Sequence, residues 1–197
     1  MSRLFTLLVA FCLAAPAVAE RASLEALSAY LNTIDTAQAG FTQTNADGTT
    51  SRGTLYIERP GRIRFEYAPP NEDVLVVAGG GQVAVFDGVG AGGPEQFPLR
   101  RTPLHLILAD DIDLTRMSMV TGHGEQDGRT VVQAQDPDRP EIGRIYLFFE
   151  RAPLRLSEWL IVSETGEHTR VRLAPFETRD DFPAAFFSIS RIAEARD

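Results

Sequence analysis

Two runs of strict alternation, three residues apart, constrain this chain more than any other feature. Gly53, Leu55 and Ile57 alternate with Thr54, Tyr56 and Glu58, and Ile63, Phe65 and Tyr67 alternate with Arg62, Arg64 and Glu66. Successive side chains of an extended chain point to opposite faces, so each run is a strand with one apolar and one polar face. Arg59-Pro60-Gly61 between them is a tight connection. The pair therefore forms a hairpin whose even positions, Arg62, Arg64 and Glu66, are expected in water.

The pattern recurs along the chain. Phe41 opens an earlier strand, and Leu75-Val76-Val77 and Val83-Ala84-Val85-Phe86 form a further hairpin about Gly79-Gly80-Gly81. Residues 88–101 look like a long loop. Strand-like segments resume at 115–121, 129–135, 144–150, 154–163 and 168–175, and a last strand is expected from Phe186 to Ile189. Strands and helices do not alternate, which argues against a parallel sheet. About eleven strands in one small domain call for a curled antiparallel sheet or barrel.

Two helices interrupt the strands. Leu24, Leu27, Leu31 and Ile34 fall on one helical stripe, with Ser23 as the cap. Thr102-Pro103 reads as N-cap and first helical position. The short helix that follows carries Leu104, Leu106, Ile107 and Leu108, apolar nearly all round. Such a helix is buried on both sides, either as plain core or as a cover over an apolar cavity.

The start of the chain is of another kind. Met1-Ser2-Arg3, the apolar run from Leu4 to Ala15, and Ala17-Val18-Ala19 have the form of a secretory signal peptide cleaved after Ala19. The run is shorter than the roughly 20 residues that span a bilayer, and no later stretch is long enough. Residues 1–19 are thus the leader and 20–197 a single domain exported to the periplasm. Cys12 leaves with the leader and Val9-Ala10-Phe11 is no lipoprotein cleavage box, so the mature chain has neither cysteine nor lipid anchor. Its charge of −8 becomes −9 once Arg3 is removed.

Composition excludes several chemistries. An acidic balance argues against nucleic acid and against docking on anionic lipid. All 19 basic residues are Arg, which removes Schiff-base and P-loop lysines. The glycine run 88–93 contains G-x-G-x-x-G, but Pro94-Glu95-Gln96 follows where a helix N-terminus should stand, so it reads as a loop. His105, His123 and His168 have no metal-ligand spacing, and His123 is expected on the surface of a polar hairpin turn. Asp110, Asp111 and Asp113 lack the glycine and distal Glu of a calcium loop. No nucleophile–base set argues for an enzyme, and no cofactor is implied.

Arg59 stands apart from the other arginines. Odd positions of its strand are apolar, and Arg59 lies at the end of that face. It either snorkels to water or spends its forked donors on acceptors such as the orphan carbonyls at a helix end.

Phe41-Thr42-Gln43, the stretch from Gly53 through Arg59-Pro60 to Tyr67, and Pro70 resemble the LolA family of periplasmic outer-membrane lipoprotein carriers. That family carries F-x-Q, a G-x-L-x-[IV]-x-[KR]-P strand pair, an aromatic shortly after, and a Pro. Thr102–Leu108 resembles its P-x-x-L-[IL] helix, and Thr165–Thr169 and Phe186–Ile189 its late hairpin and last strand. The resemblance implies a mainly β fold, an unclosed and strongly curved antiparallel half-barrel of about eleven strands, with helices as a lid over an apolar cavity. It implies a carrier that receives triacylated lipoproteins from an inner-membrane ATP-driven exporter and delivers them to an outer-membrane receptor. It also implies that Arg59 latches the lid through hydrogen bonds.

Taken together, the expected acyl cavity is lined by Phe41, Leu55, Ile57, Ile63, Phe65 and Tyr67, with Trp159 and Ile161 on the far wall. Leu104, Leu106, Ile107 and Leu108 form the lid, and no catalytic or metal residue is expected. The carrier is expected to be a monomer. The rival readings are the outer-membrane receptor itself, another acyl-binding half-barrel of the periplasm, and, last, a small hydrolase.

Overall fold

The computed structural model describes residues 21–88 and 93–196; the leader, part of the glycine-rich run and Asp197 lie outside them. The two alternating runs pair as expected: β2 (Thr50–Glu58) and β3 (Arg62–Tyr67) are antiparallel, with Leu55 opposite Phe65 and Ile57 opposite Ile63. On the other side of β2 lies β1 (Thr36–Thr44), in register along its whole length, so Phe41 sits within the strand rather than at its start. Phe41 faces Gly53, where an added Cβ would stand 2.0 Å from the Glu66 carbonyl and 2.7 Å from the Phe41 ring. The glycine is what lets that ring lie across β2 toward Phe65 and Tyr67, which it meets edge-on.

The sheet continues through β4 (Leu75–Gly79), β5 (Gln82–Phe86) and β6 (Glu95–Pro98) on one flank. On the other flank run β11 (His168–Leu173), β10 (Leu154–Ser163), β9 (Gly143–Arg151), β8 (Arg129–Gln135) and β7 (Val120–Gln126). A two-residue β12 (Glu177–Thr178) also pairs with β1. Every pairing is antiparallel, and β6 and β7 are the two free edges of an open, twelve-stranded sheet.

One face holds the larger apolar cluster. Two helices lie in it, α1 (Leu24–Asn32) and α2 (His105–Leu108). Ser23 caps α1, accepting from the Ala26 amide at 3.2 Å, and Leu27 and Leu31 are fully buried. The opposite face carries a smaller cluster of Leu75, Val77, Ala84 and Phe86, covered by the C-terminal segment.

That segment corrects the expected last strand. Residues Ala184–Phe187 form a 3-10 turn, followed by α3 (Ile189–Glu194). Phe182, Phe186 and Phe187 pack against one another, and Phe182 and Phe186 also against Tyr56, which a strand alternating in and out would not allow. Gly79 admits the turn, since a Cβ there would stand 2.2 Å from the Phe187 carbonyl oxygen. Arg64, expected in water, is instead covered, its guanidinium 4.5 Å from the Phe186 ring centre and donating to the Phe186 carbonyl at 2.9 Å.

Three boundaries also differ. The segment 115–121 is turn until Val120, because Asp113 draws the Thr115, Arg116 and Met117 amides into a tight bend. The expected loop 88–101 holds β6 and a 3-10 turn at Leu99–Arg101. Thr102 does not cap the lid helix; its hydroxyl donates back to Leu99.

Candidate functional site

The residues expected to line a cavity converge on one face. Phe41, Leu55, Ile57, Ile63, Phe65 and Trp159 are all buried in the larger cluster, with Tyr67 packed at its edge. Phe65 meets Trp159 edge-on at 6.0 Å between ring centres, bridging the two flanks of the sheet. The face is not an open cavity: Leu106, Ile107 and Leu108 of α2 fill it from above, with Leu104 at the margin. Ile161 departs from the expectation. It lies on the Trp159 face but toward the end of β10, 39% exposed and outside the packed cluster.

A helix as short as α2 does not hold itself in place by hydrogen bonding alone. Its own side chains supply apolar contact, and Arg59 supplies polar attachment. Arg59 is only 8% exposed, and its guanidinium donates five hydrogen bonds. Nε reaches the Ala109 carbonyl at 3.0 Å and Nη2 the Asp110 carbonyl at 2.9 Å, both just beyond α2. Nη1 reaches the Leu31 and Ile34 carbonyls at 3.0 and 3.3 Å, at the end of α1, and Nη2 also donates to Asn32 Oδ1 at 2.8 Å. One forked cation thus ties the end of α1 to the chain just beyond α2. Burial pushes its pKa down, opposed by the nearby charges of Asp35, Asp110 and Asp111.

Sequence reasoning singled out Arg59 and the short apolar helix but missed a second set of bonds between α1 and the chain beyond α2. Asn32 accepts from the Ile112 amide at 3.1 Å and donates to the Ile112 carbonyl at 3.0 Å. Ser28 accepts from the Leu114 amide at 2.9 Å. The chain leaving α2 is therefore sewn to α1 two residues past the Arg59 bonds. The only signal was a polar residue closing an apolar stripe, which is ordinary at a helix end.

Helix α2 has a further backbone tie: the Gly61 amide donates to Leu108 at 2.8 Å, from the β2–β3 turn where Gly61 takes a positive φ of 74°. Beside it a hollow of about 490 Å³ runs along the outer side of α2, lined by Gly61, Leu99, His105 and Leu108. Burial, and then the Arg100 charge, lowers the His105 pKa, which favours its neutral form. Tyr67 closes the other end of the face, donating to Gln43 at 2.8 Å, and burial raises its pKa to about 12.

His123 is also placed differently from the expectation. It lies in β7, not in the hairpin turn formed by Asp127 and Gly128, and its Nε2 is 2.8 Å from the Ala22 carbonyl. No group of His, Cys, Asp or Glu among the described residues has the arrangement of a metal site. No helix among them is long and apolar enough to cross a membrane.

The family model described as outer membrane lipoprotein carrier protein LolA matches residues 32–190. An outer-membrane lipoprotein carrier protein of Dechloromonas aromatica is 28% identical over 195 residues, 91% of this chain and 89% of that protein. One from Legionella pneumophila is 27% identical over 207 residues, 96% of this chain and 95% of that protein. A LolA superfamily structure from Nitrosomonas europaea covers 85% of this chain and 98% of its own at 12% identity, with a TM-score of 0.46.

Proposed function

Because the chain belongs to the LolA family of outer membrane lipoprotein carrier proteins, we propose that it carries lipoproteins through the periplasm, their acyl chains held against the inner face of the sheet. In this reading it accepts triacylated lipoproteins from an ATP-driven exporter in the inner membrane and passes them to a receptor in the outer membrane. It works as a monomer, without cofactor or nucleic acid, and residues 1–19 are the export signal.

The observation that carries the reading is the double grip of Arg59 on both helix ends. A carrier faces a thermodynamic conflict. Each acyl CH₂ removed from water stabilises the complex by about 0.8 kcal/mol, so a long chain in a rigid open pocket would hardly leave. A lid that fills the pocket when empty offsets this. Incoming chains must displace Leu106, Ile107 and Leu108 and break the Arg59 bonds to Ala109 and Asp110. That cost subtracts from affinity and is returned when the cargo leaves. The closed lid also keeps a broad apolar face out of water between rounds.

On opening, the bonds of Arg59 to Leu31, Ile34 and Asn32 can stay intact, so the cation is never left unpaired. Asn32 fixes Ile112, which makes Ala109–Asp111 the hinge. The hollow along the outer side of α2 gives the helix somewhere to go.

The reading is tested by depleting the protein in its own bacterium and fractionating the envelope. Lipoproteins destined for the outer membrane should accumulate in the inner membrane. Unchanged sorting would reject the carrier role.

A further inference from the structure

The side of the sheet turned away from the lid carries a second hollow, of about 440 Å³, between α3 and the strands β3 and β4. Its floor is apolar, formed chiefly by Leu75, Phe186 and Ile192. Its polar lining is three arginines, Arg64, Arg191 and Arg196, and no carboxylate lines it. In a chain of net charge −8 such a rim is not what the average surface supplies.

The three cations are held differently. Arg64 is compensated: it pairs with Glu66 at 2.7 Å and lies against the Phe186 ring. Arg196 lies 5.1 Å from the Phe86 ring centre and donates to the Asp73 backbone carbonyl at 2.8 Å, which fixes the side chain but pairs it with no carboxylate among the described residues. Arg191 is exposed and pairs with no carboxylate among the described residues. The site thus has an apolar slot and, at its mouth, two guanidiniums that pair with no carboxylate among the described residues. Its volume falls within the range typical of small-ligand clefts, and guanidinium donors match phosphate and carboxylate oxygens.

From this charge complementarity we infer that the hollow binds an anionic amphiphile, with an acyl chain on Leu75, Phe186 and Ile192 and a phosphate or carboxylate at Arg191 and Arg196. This site is separate from the face beneath the lid and does not depend on the carrier reading. Bound there, such a molecule would brace the C-terminal segment against the sheet.

Trp159 makes the two faces distinguishable. It is the single tryptophan, buried beneath the lid beside Phe65. Dodecyl phosphate, below its micelle concentration, would be titrated into the protein by calorimetry while Trp159 emission is followed. Binding with unchanged emission is expected, weakened at least tenfold by Arg191→Glu and by Ala195→Trp, which fills the hollow from its exposed rim. Dodecyl maltoside should bind at least tenfold more weakly. Trp159 emission that changes in step with binding, or an Arg191→Glu affinity equal to wild type, would overturn the site. Co-sedimentation with phosphatidylglycerol vesicles but not phosphatidylcholine vesicles, lost in Arg191→Glu, would make a bilayer headgroup the source of the anion. Dodecyl phosphate binding without it would make the source a free single-chain amphiphile. Failure of both would reject the proposal.

Discussion

Arg59 Nε donates to the Ala109 carbonyl oxygen at 3.0 Å, joining the end of the β2–β3 hairpin to the chain just beyond the lid helix. The same side chain holds α1. The position of α2 is therefore coupled through one cation to the helix beside it.

Asn32→Ala should loosen the lid without touching it. The substitution leaves the Ile112 amide and carbonyl unpaired and deprives Arg59 of its side-chain acceptor. A loss of about 1–3 kcal/mol in urea unfolding is expected. Amide exchange at residues 105–112 should accelerate more than exchange in β8 and β9.

Leu106→Ala and Ile161→Ala should separate core from rim. Leu106 is fully buried in the larger cluster, so its truncation should cost about 2–5 kcal/mol. Ile161, 39% exposed, should cost under about 1 kcal/mol. Equal midpoints for the two variants would mean that the lid does not pack as described.

Gly53→Ala should break the first hairpin. The new methyl would meet the Glu66 carbonyl oxygen, a backbone atom that cannot rotate aside, and the Phe41 ring. Strong destabilisation, with lost protection in β2 and β3, is expected by thermal unfolding and exchange.

Tyr67 supplies a pH signature. Its folded pKa of about 12 lies above the value near 10 of an unfolded tyrosine. The folded state therefore favours the protonated phenol. That stability is whole below pH 10 and is lost as pH rises through 12. Tyr67→Phe should flatten this alkaline loss, leaving the part due to Tyr30 and Tyr56, whose pKa values are also raised by burial.

Period two was enough to read which face each residue of β2 and β3 occupies, and it singled out Arg59 at the end of the apolar one. It says nothing of what lies over a face. Arg64 was expected in water because its strand is polar on that side, yet Phe186, 122 residues later, covers it. The Phe186–Ile189 run is short and apolar, a pattern that strand and buried turn share. The packing of Phe182 and Phe186 against Tyr56, with Phe187 against both, decided it. Asn32 was illegible for a related reason. A helix-end amide gains meaning only when the chain beyond the lid folds back to Ile112, a long-range event that spacing does not encode.

The central claim is that Arg59 lowers cargo affinity by holding the lid shut. Arg59→Leu removes all five donors while keeping an apolar stem, and it should destabilise the empty protein by roughly 2–4 kcal/mol. The decisive measurement is the transfer of purified, radiolabelled triacylated lipoprotein from the carrier to the outer-membrane receptor in vitro. The account predicts that Arg59→Leu loads with cargo as well as wild type, or better, but transfers it at least tenfold more slowly. Transfer at the wild-type rate by a fully loaded variant would contradict it.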